Sequence, residues 1–164
     1  MRRVDGDIGL ALRPALAEDS DFLFELFLDA RAGEFSLLPL EGAQREFLLR
    51  MQFEAQQRGY AARFPASTDA IVLFGNRPVG RLWLARNQDE IRLLDIALLS
   101  TQRGAGIGSS LLRQVLQQAA QEGYPVRLSV ARTNLRAFEF YQRLGFAVAA
   151  QNQVFLEMEH SGEG

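Results

Sequence analysis

The segment Arg103-Gly104-Ala105-Gly106-Ile107-Gly108 constrains this chain more than any other. Before it runs Ile91 to Leu99, apolar on both faces apart from Asp95, as in a strand covered on both sides. After it, Ile107, Leu111, Leu112, Val115, Leu116 and Ala119 recur at helical spacing until Gly123. A strand turning this sharply into a helix needs glycine, and glycine bares backbone amides to a ligand. Those amides and the helix N-terminus form a site for phosphate or pyrophosphate. A loop that merely contains glycines is the alternative; strand before and helix after favour the anion site.

The rest of the pattern predicts an α+β chain. Ile8, Leu10 and Leu12 alternate as a strand that stops at Pro14. Glu18-Asp19-Ser20-Asp21 caps an amphipathic helix carrying Phe22, Leu23, Leu26, Phe27 and Ala30. A second helix is predicted from about Gly42 to Arg58, with Phe47, Leu48, Met51 and Ala55 on its inner face and Gly59 as its stop. Between these helices, Gly33 to Leu40 reads as an ordered loop carrying Phe35. Ala70 to Phe74 and Val79 to Ala85 flank Gly75-Asn76-Arg77-Pro78 as a hairpin, and Asn87-Gln88-Asp89 turns the chain into the Ile91 strand. Val126, Leu128 and Val130 alternate as a further strand. Asn134 caps a helix whose inner face is Ala137, Phe138, Tyr141 and Leu144, closed by Gly145. Phe146 to Ala150 and Val154 to Met158 are closing strands. With no linker or repeat in 164 residues, one domain is expected, its core at about 8–158 and a polar tail at 159–164.

Composition removes several chemistries. Without cysteine there is no thiolate nucleophile or thiolate metal site. All 18 basic residues are arginine, which excludes a Schiff-base lysine and the lysine of a nucleotide-binding P-loop. The single histidine, His160, reads as a solvated residue of the polar tail, so neither a histidine triad nor a multi-histidine metal site is expected. A net charge of -2 gives no electrostatic case for nucleic acid or an anionic membrane. Met1-Arg2-Arg3-Val4-Asp5-Gly6-Asp7 resembles neither a secretory nor a twin-arginine signal, and no apolar run approaches a membrane span. A cytoplasmic location is the expectation.

A dinucleotide fingerprint fits the glycine turn poorly. Its third glycine falls on Ser109, and the next strand ends Val130-Ala131-Arg132, without the ribose-binding acid. Arg103-x-x-Gly106-x-Gly108 instead resembles the signature of the GNAT superfamily of N-acetyltransferases. Downstream, Asn134-x-x-Ala137-x-x-Phe140-Tyr141-x-x-Leu144-Gly145-Phe146 resembles a second motif of that family, and Leu12-Arg13-Pro14-Ala15 with Glu18-Asp19 is similar to its opening. The resemblance runs from about Leu10 to Met158. It implies a mixed, largely antiparallel sheet flanked by helices, with a splayed central strand pair. One departure is Ser100, where the family often has proline.

The resemblance also implies acetyl-CoA as co-substrate and, as acceptor, a primary amine of a small molecule or a protein N-terminus that attacks it directly, in a monomer or homodimer. The pyrophosphate would lie on Arg103, Gly104, Ala105, Gly106, Ile107, Gly108 and Ser109, with pantetheine between the strand ending near Leu98 and the one starting near Val126. Asn134 would cap its helix and contact the cofactor. Acetyl transfer to nitrogen needs a neutral amine, a donor to the thioester oxygen and a proton for the departing thiolate. An alkyl amine with a pKa near ~10.4 is almost wholly protonated at neutral pH, so a base is required. The family's oxyanion donor is a backbone amide that maps to Leu98 or its neighbours. Tyr141 is the candidate acid; a core aromatic is the alternative. For the base, Asp95, Glu90 and Glu54 remain open. Arg132 and Arg136 are either solvated or meet a CoA phosphate. Against catalysis stand a non-catalytic acyl-CoA-binding module of the same fold and an unrelated nucleotide enzyme sharing only a glycine turn.

Overall fold

The computed structural model describes residues 2–3, 9–31 and 41–161. Its sheet is eight-stranded, in the order β1-β2-β3-β4-β5-β6-β8-β7. The strands are β1 (Arg2–Arg3), β2 (Leu10–Pro14), β3 (Thr68–Phe74), β4 (Arg77–Arg86), β5 (Ile91–Leu98), β6 (Val126–Ala131), β7 (Ala147–Gln151) and β8 (Phe155–His160). The helices are α1 (Ser20–Ala30), α2 (Gly42–Arg63), α3 (Ile107–Glu122) and α4 (Leu135–Arg143). Every pairing is antiparallel except β5 with β6. Ile8 and the segment Gly33 to Leu40, with Phe35, lie outside the described residues.

Strand alternation separates two cores. On one face Val72, Leu82, Ile91, Leu93, Val126, Leu128 and Met158 pack with Ile107, Leu111, Leu112, Val115 and Ala119 of α3. On the other, Ala11, Ile71 and Leu73 pack with Leu23, Phe24 and Phe27 of α1 and Leu49 and Phe53 of α2. The β3–β4 turn places Gly75 and Asn76 at φ 58 and 67, the two left-handed residues of a tight hairpin.

Two expectations are corrected. The second helix continues through Gly59 to Arg63, and its buried residues are Leu49 and Phe53. Phe47 and Met51, expected inside, are 69% and 51% exposed. Aromatic packing decided the face: Phe53 meets the rings of Phe24 and Phe27, each at 5.5 Å between centroids. His160 is the last residue of β8, not a tail residue, and its ring lies 5.4 Å from that of Phe146.

Candidate functional site

The parallel pair is short. β5 and β6 are matched only at Ile91↔Val126, Arg92↔Arg127 and Leu93↔Leu128. β6 then follows β8, while β5 follows β4 to Leu98, so the two strands splay. The splay begins at a bulge: Trp83 pairs with Asp95 and Leu84 with Leu93, leaving Leu94 unmatched. Gly80 then lets β5 lie against β4, because a Cβ there would overlap the carbonyl oxygen of Ala97 and the side chain of Leu98.

Past the bulge the β5 backbone has hydrogen-bonding groups to spare. The Leu99 amide donates to Val79 O at 2.9 Å, across to β4. Amides alternate along a strand, so that of Leu98 points the other way, into the splay. The Leu98 carbonyl, on the same side, accepts from Arg103 Nε at 3.3 Å.

At the mouth of the splay, Gly104 and Gly106 have φ of +83 and +82, and an added Cβ at either would meet nothing within 4 Å. Gly106 is the N-cap of α3, and the first amide satisfied within the helix is that of Ser110, which donates to Gly106 O at 3.0 Å. The amides of Gly106, Ile107, Gly108 and Ser109 therefore have no intrahelical acceptor. Open space over left-handed glycines, beside free donors at a helix N-terminus, fits a pyrophosphate. Gly108 does something different: a Cβ there would touch Phe140 at 3.4 Å and Leu98 at 3.6 Å, so it lets α3 close on α4 and β5.

Tyr141 approaches from α4 and Asp95 from β5. The Tyr141 ring packs on Phe140 and Phe146 at 5.4 and 5.7 Å. Its hydroxyl makes no hydrogen bond among the described residues and is held far above its ordinary pKa, by burial first and then by the charges of Asp95 and Tyr60. Burial also pushes the Asp95 carboxyl up; the charges of Arg81 and Arg31 and the Ile96 amide pull against it, and Asp69 adds to it. Asn134 caps α4, its Oδ1 accepting from the Ala137 amide at 3.2 Å.

Other sequence candidates lie elsewhere. Glu90 precedes the first residue of β5, at the far end from the cradle, with Arg92 at 3.6 Å and Arg127 at 3.7 Å. Those two guanidinium groups hold it beside the paired part of β5 and β6, before the splay begins. Glu54 is exposed on α2 and lines a shallow groove with Leu16, Ser20 and Arg58. Arg132 donates to Gln151 Oε1 and Asn152 O, in the turn between β7 and β8.

The sequence reading missed Tyr60, Trp83 and Arg81. Trp83 pairs with Asp95 and so shares its face of the sheet. Tyr60 stands edge-on to Trp83 at 5.2 Å and 88°. Arg81 is 3% exposed, makes a bidentate contact with Asp69 at 2.8 and 2.7 Å, and lies 4.2 Å from the centre of the Trp83 ring. The signal was the spacing Phe53, Gln57, Tyr60, Phe64, which continues the true inner face of α2.

Ser100 also acquires a reason. Its amide and hydroxyl donate to Asp29 Oδ2 and Oδ1 at 2.6 and 3.0 Å, fastening the end of α1 beside the turn after β5. Proline, with no N–H, would lose the shorter of these bonds.

Among the described residues, no helix is long and apolar enough to cross a membrane, and no group of three acidic or histidine side chains is placed to hold a metal. A search of curated proteins returns no match. Among solved structures, the PaiA N-acetyltransferase of Thermoplasma acidophilum, in complex with coenzyme A, superposes with a TM-score of 0.70 at 20% identity, covering 94% of this chain and 99% of its own. The ribosomal-protein-S18-alanine N-acetyltransferase of Escherichia coli gives 0.63 at 16% identity, covering 92% of each chain. Arabidopsis thaliana Naa50, in complex with a bisubstrate analogue of CoA, gives 0.59 at 17%, covering 94% and 99%. These likenesses are of fold. The sequence itself matches the model of the Acetyltransferase (GNAT) family over residues 25–146, and the chain belongs to that family.

Proposed function

We propose that this protein transfers the acetyl group of acetyl-CoA directly to an amine. The observation that carries the reading is the splay, with the Leu98 amide turned into it and the glycine cradle at its mouth. Related folds hold coenzyme A or a CoA conjugate, which supports the same ligand here.

The pyrophosphate rests on the amides of Gly104 to Ser109, with Arg103 beside them, and pantetheine runs between β5 and β6 past Asn134. The thioester oxygen accepts from the Leu98 amide, which stabilises negative charge as the carbonyl becomes tetrahedral. The amine nitrogen forms the new C–N bond and the C–S bond breaks. Asp95 takes one proton from the ammonium group, freeing the nitrogen to attack, and the second proton, shed by the nitrogen once the C–N bond has formed, passes to the departing thiolate. The raised pKa of Asp95 brings it nearer the range useful to a base at neutral pH. Tyr141 donates a hydrogen bond to the departing thiolate. Its own raised pKa makes it a donor to developing charge and not an efficient acid.

The test is CoA release and product mass across polyamines, amino acids, aminoglycosides and peptide N-termini. Turnover that depends on Asp95 and Tyr141 supports the reading. Binding of acetyl-CoA with no amine consumed would leave the non-catalytic acyl-CoA module.

A further inference from the structure

Among the described residues, the acceptor side of the splay carries more positive charge without an ion-pair partner than a polyamine site would. Asp95 is its carboxylate, on the face occupied by Trp83 and Tyr60. Among the described residues, the acid that acts on Asp95 there is Asp69, and it is neutralised by Arg81 at 2.7 Å. Two further guanidinium groups bear on this patch: the charge of Arg31 acts on Asp95 and on Tyr60, and that of Arg63 on Tyr60. Arg31 follows α1, two residues after the Asp29–Ser100 tether that fixes that helix end beside the C-terminal end of β5. Arg63 ends α2, one turn beyond Tyr60. Arg31 lies 4.0 Å over the Phe27 ring and Arg63 5.2 Å from that of Phe64. Among the described residues neither has a carboxylate within 4.0 Å; Arg13, Arg86, Arg92 and Arg127 all do.

We infer that the acceptor carries a carboxylate beside its reactive amine, with Asp95 receiving the amine and Arg31 and Arg63 the anionic end; the inference rests on the acetyltransferase reading above. One free acid suits one ammonium group. A second ammonium, as in a diamine or polyamine, would face Arg31 and Arg63 instead of an acid. The aromatic pair Tyr60–Trp83 gives the acceptor's carbon skeleton an apolar wall.

The experiment compares matched acceptors on the intact protein: methionine, methioninamide, a Met-Asp dipeptide and putrescine. Steady-state kinetics are run on wild type, Arg31→Gln, Arg63→Gln and the double charge reversal Arg31→Glu/Arg63→Glu. Binding of each acceptor to the CoA-loaded protein is measured by calorimetry in parallel. The expected result is kcat/KM at least about tenfold higher for a carboxylate-bearing acceptor than for methioninamide, the scale of a hydrogen-bonded charge pair. That preference should shrink in each Gln variant through KM and give way to putrescine in the reversal, with acetyl-CoA affinity unchanged. Methionine against Met-Asp separates a free amino acid from an acidic peptide terminus. Preference for putrescine or methioninamide in wild type overturns the inference and leaves acetyl transfer standing. If no acceptor turns over, the acetyltransferase reading fails. Calorimetry then still decides the inference: arginine-dependent binding of the carboxylate-bearing compounds supports it, and its absence overturns it.

Discussion

Asp95 and Tyr141 stand on opposite faces of one sheet, and charge on the first raises the proton affinity of the second. Asp95 shares the face of Trp83 and Tyr60; Tyr141 packs against the core that includes Phe146 and α3.

This arrangement predicts the pH dependence of turnover. Asp95 works as a base only when deprotonated, and its pKa lies above the ordinary carboxylate range. With a preferred amine, kcat should rise with pH through that raised pKa. Asp95→Asn should abolish that limb and lower kcat by roughly a hundredfold or more. A profile unchanged by the substitution would assign the base elsewhere.

Tyr141→Phe removes one hydroxyl and keeps the ring against Phe140 and Phe146. The expected loss in kcat is roughly ten- to a thousandfold, nearer the lower figure because the raised pKa disfavours full proton transfer. Acetyl-CoA affinity and thermal stability should stay close to wild type. Turnover within a factor of about two, with chemistry rate-limiting, would make Tyr141 a packing residue.

Acetyl-CoA at a hundred times its dissociation constant should stabilise the protein by about 2.7 kcal/mol, and NAD, NADP and ATP should do little at equal concentration. Gly106→Val should remove that stabilisation by filling the space above the turn. At φ +82 a side chain is strained even where there is room, so the unliganded variant should also lose about 1–2 kcal/mol. Calorimetric melting with and without ligand separates the two effects. A ligand-induced shift equal to wild type would show that the turn is not the cradle.

Gly80→Ala tests the approach of β4 to β5. The new methyl overlaps Ala97 O and the Leu98 side chain, so β5 must shift. Stability should fall by about 1–3 kcal/mol, and kcat should fall at saturating acetyl-CoA as the Leu98 amide moves off the thioester oxygen. Urea unfolding and steady-state kinetics measure the two losses.

Acid stability should depend on the Arg13–Asp19 pair. Asp19 accepts from both terminal nitrogens of Arg13 at 2.7 Å and from the Leu16 amide at 2.8 Å, and its pKa is lowered to about 2. A carboxyl lowered in the folded state contributes stability above its unfolded pKa, 3.8, and loses it as pH falls toward 2. Asp19→Asn should cost about 1–2 kcal/mol at pH 7 and almost nothing at pH 2. Melting curves at the two pH values give the comparison.

The amino-acid order alone determined where strands give way to helices. The glycine turn, the Asn134 cap and the stripe from Ile107 to Ala119 are local signals, because backbone conformation and helical spacing act between residues a few positions apart. The same locality made Tyr141 legible as a site candidate within its own motif. It did not determine which stripe of the second helix turns inward. Phe47 and Met51 compete there with Leu49 and Phe53, and only the rings of Phe24 and Phe27, from a different helix, chose the latter. The order of closing strands was equally invisible: β8 enters beside β6, which draws His160 onto Phe146 instead of leaving it in solvent. Glu90 stands at the beginning of β5 and Asp95 inside it, and the sequence offered both as acids. The bulge at Leu94 and the end of the β5–β6 pairing put Asp95 at the opening and left Glu90 at the closed end between arginines. Burial, and with it the raised pKa of Asp95, comes from chains distant in sequence meeting in space, and the linear pattern does not carry that information.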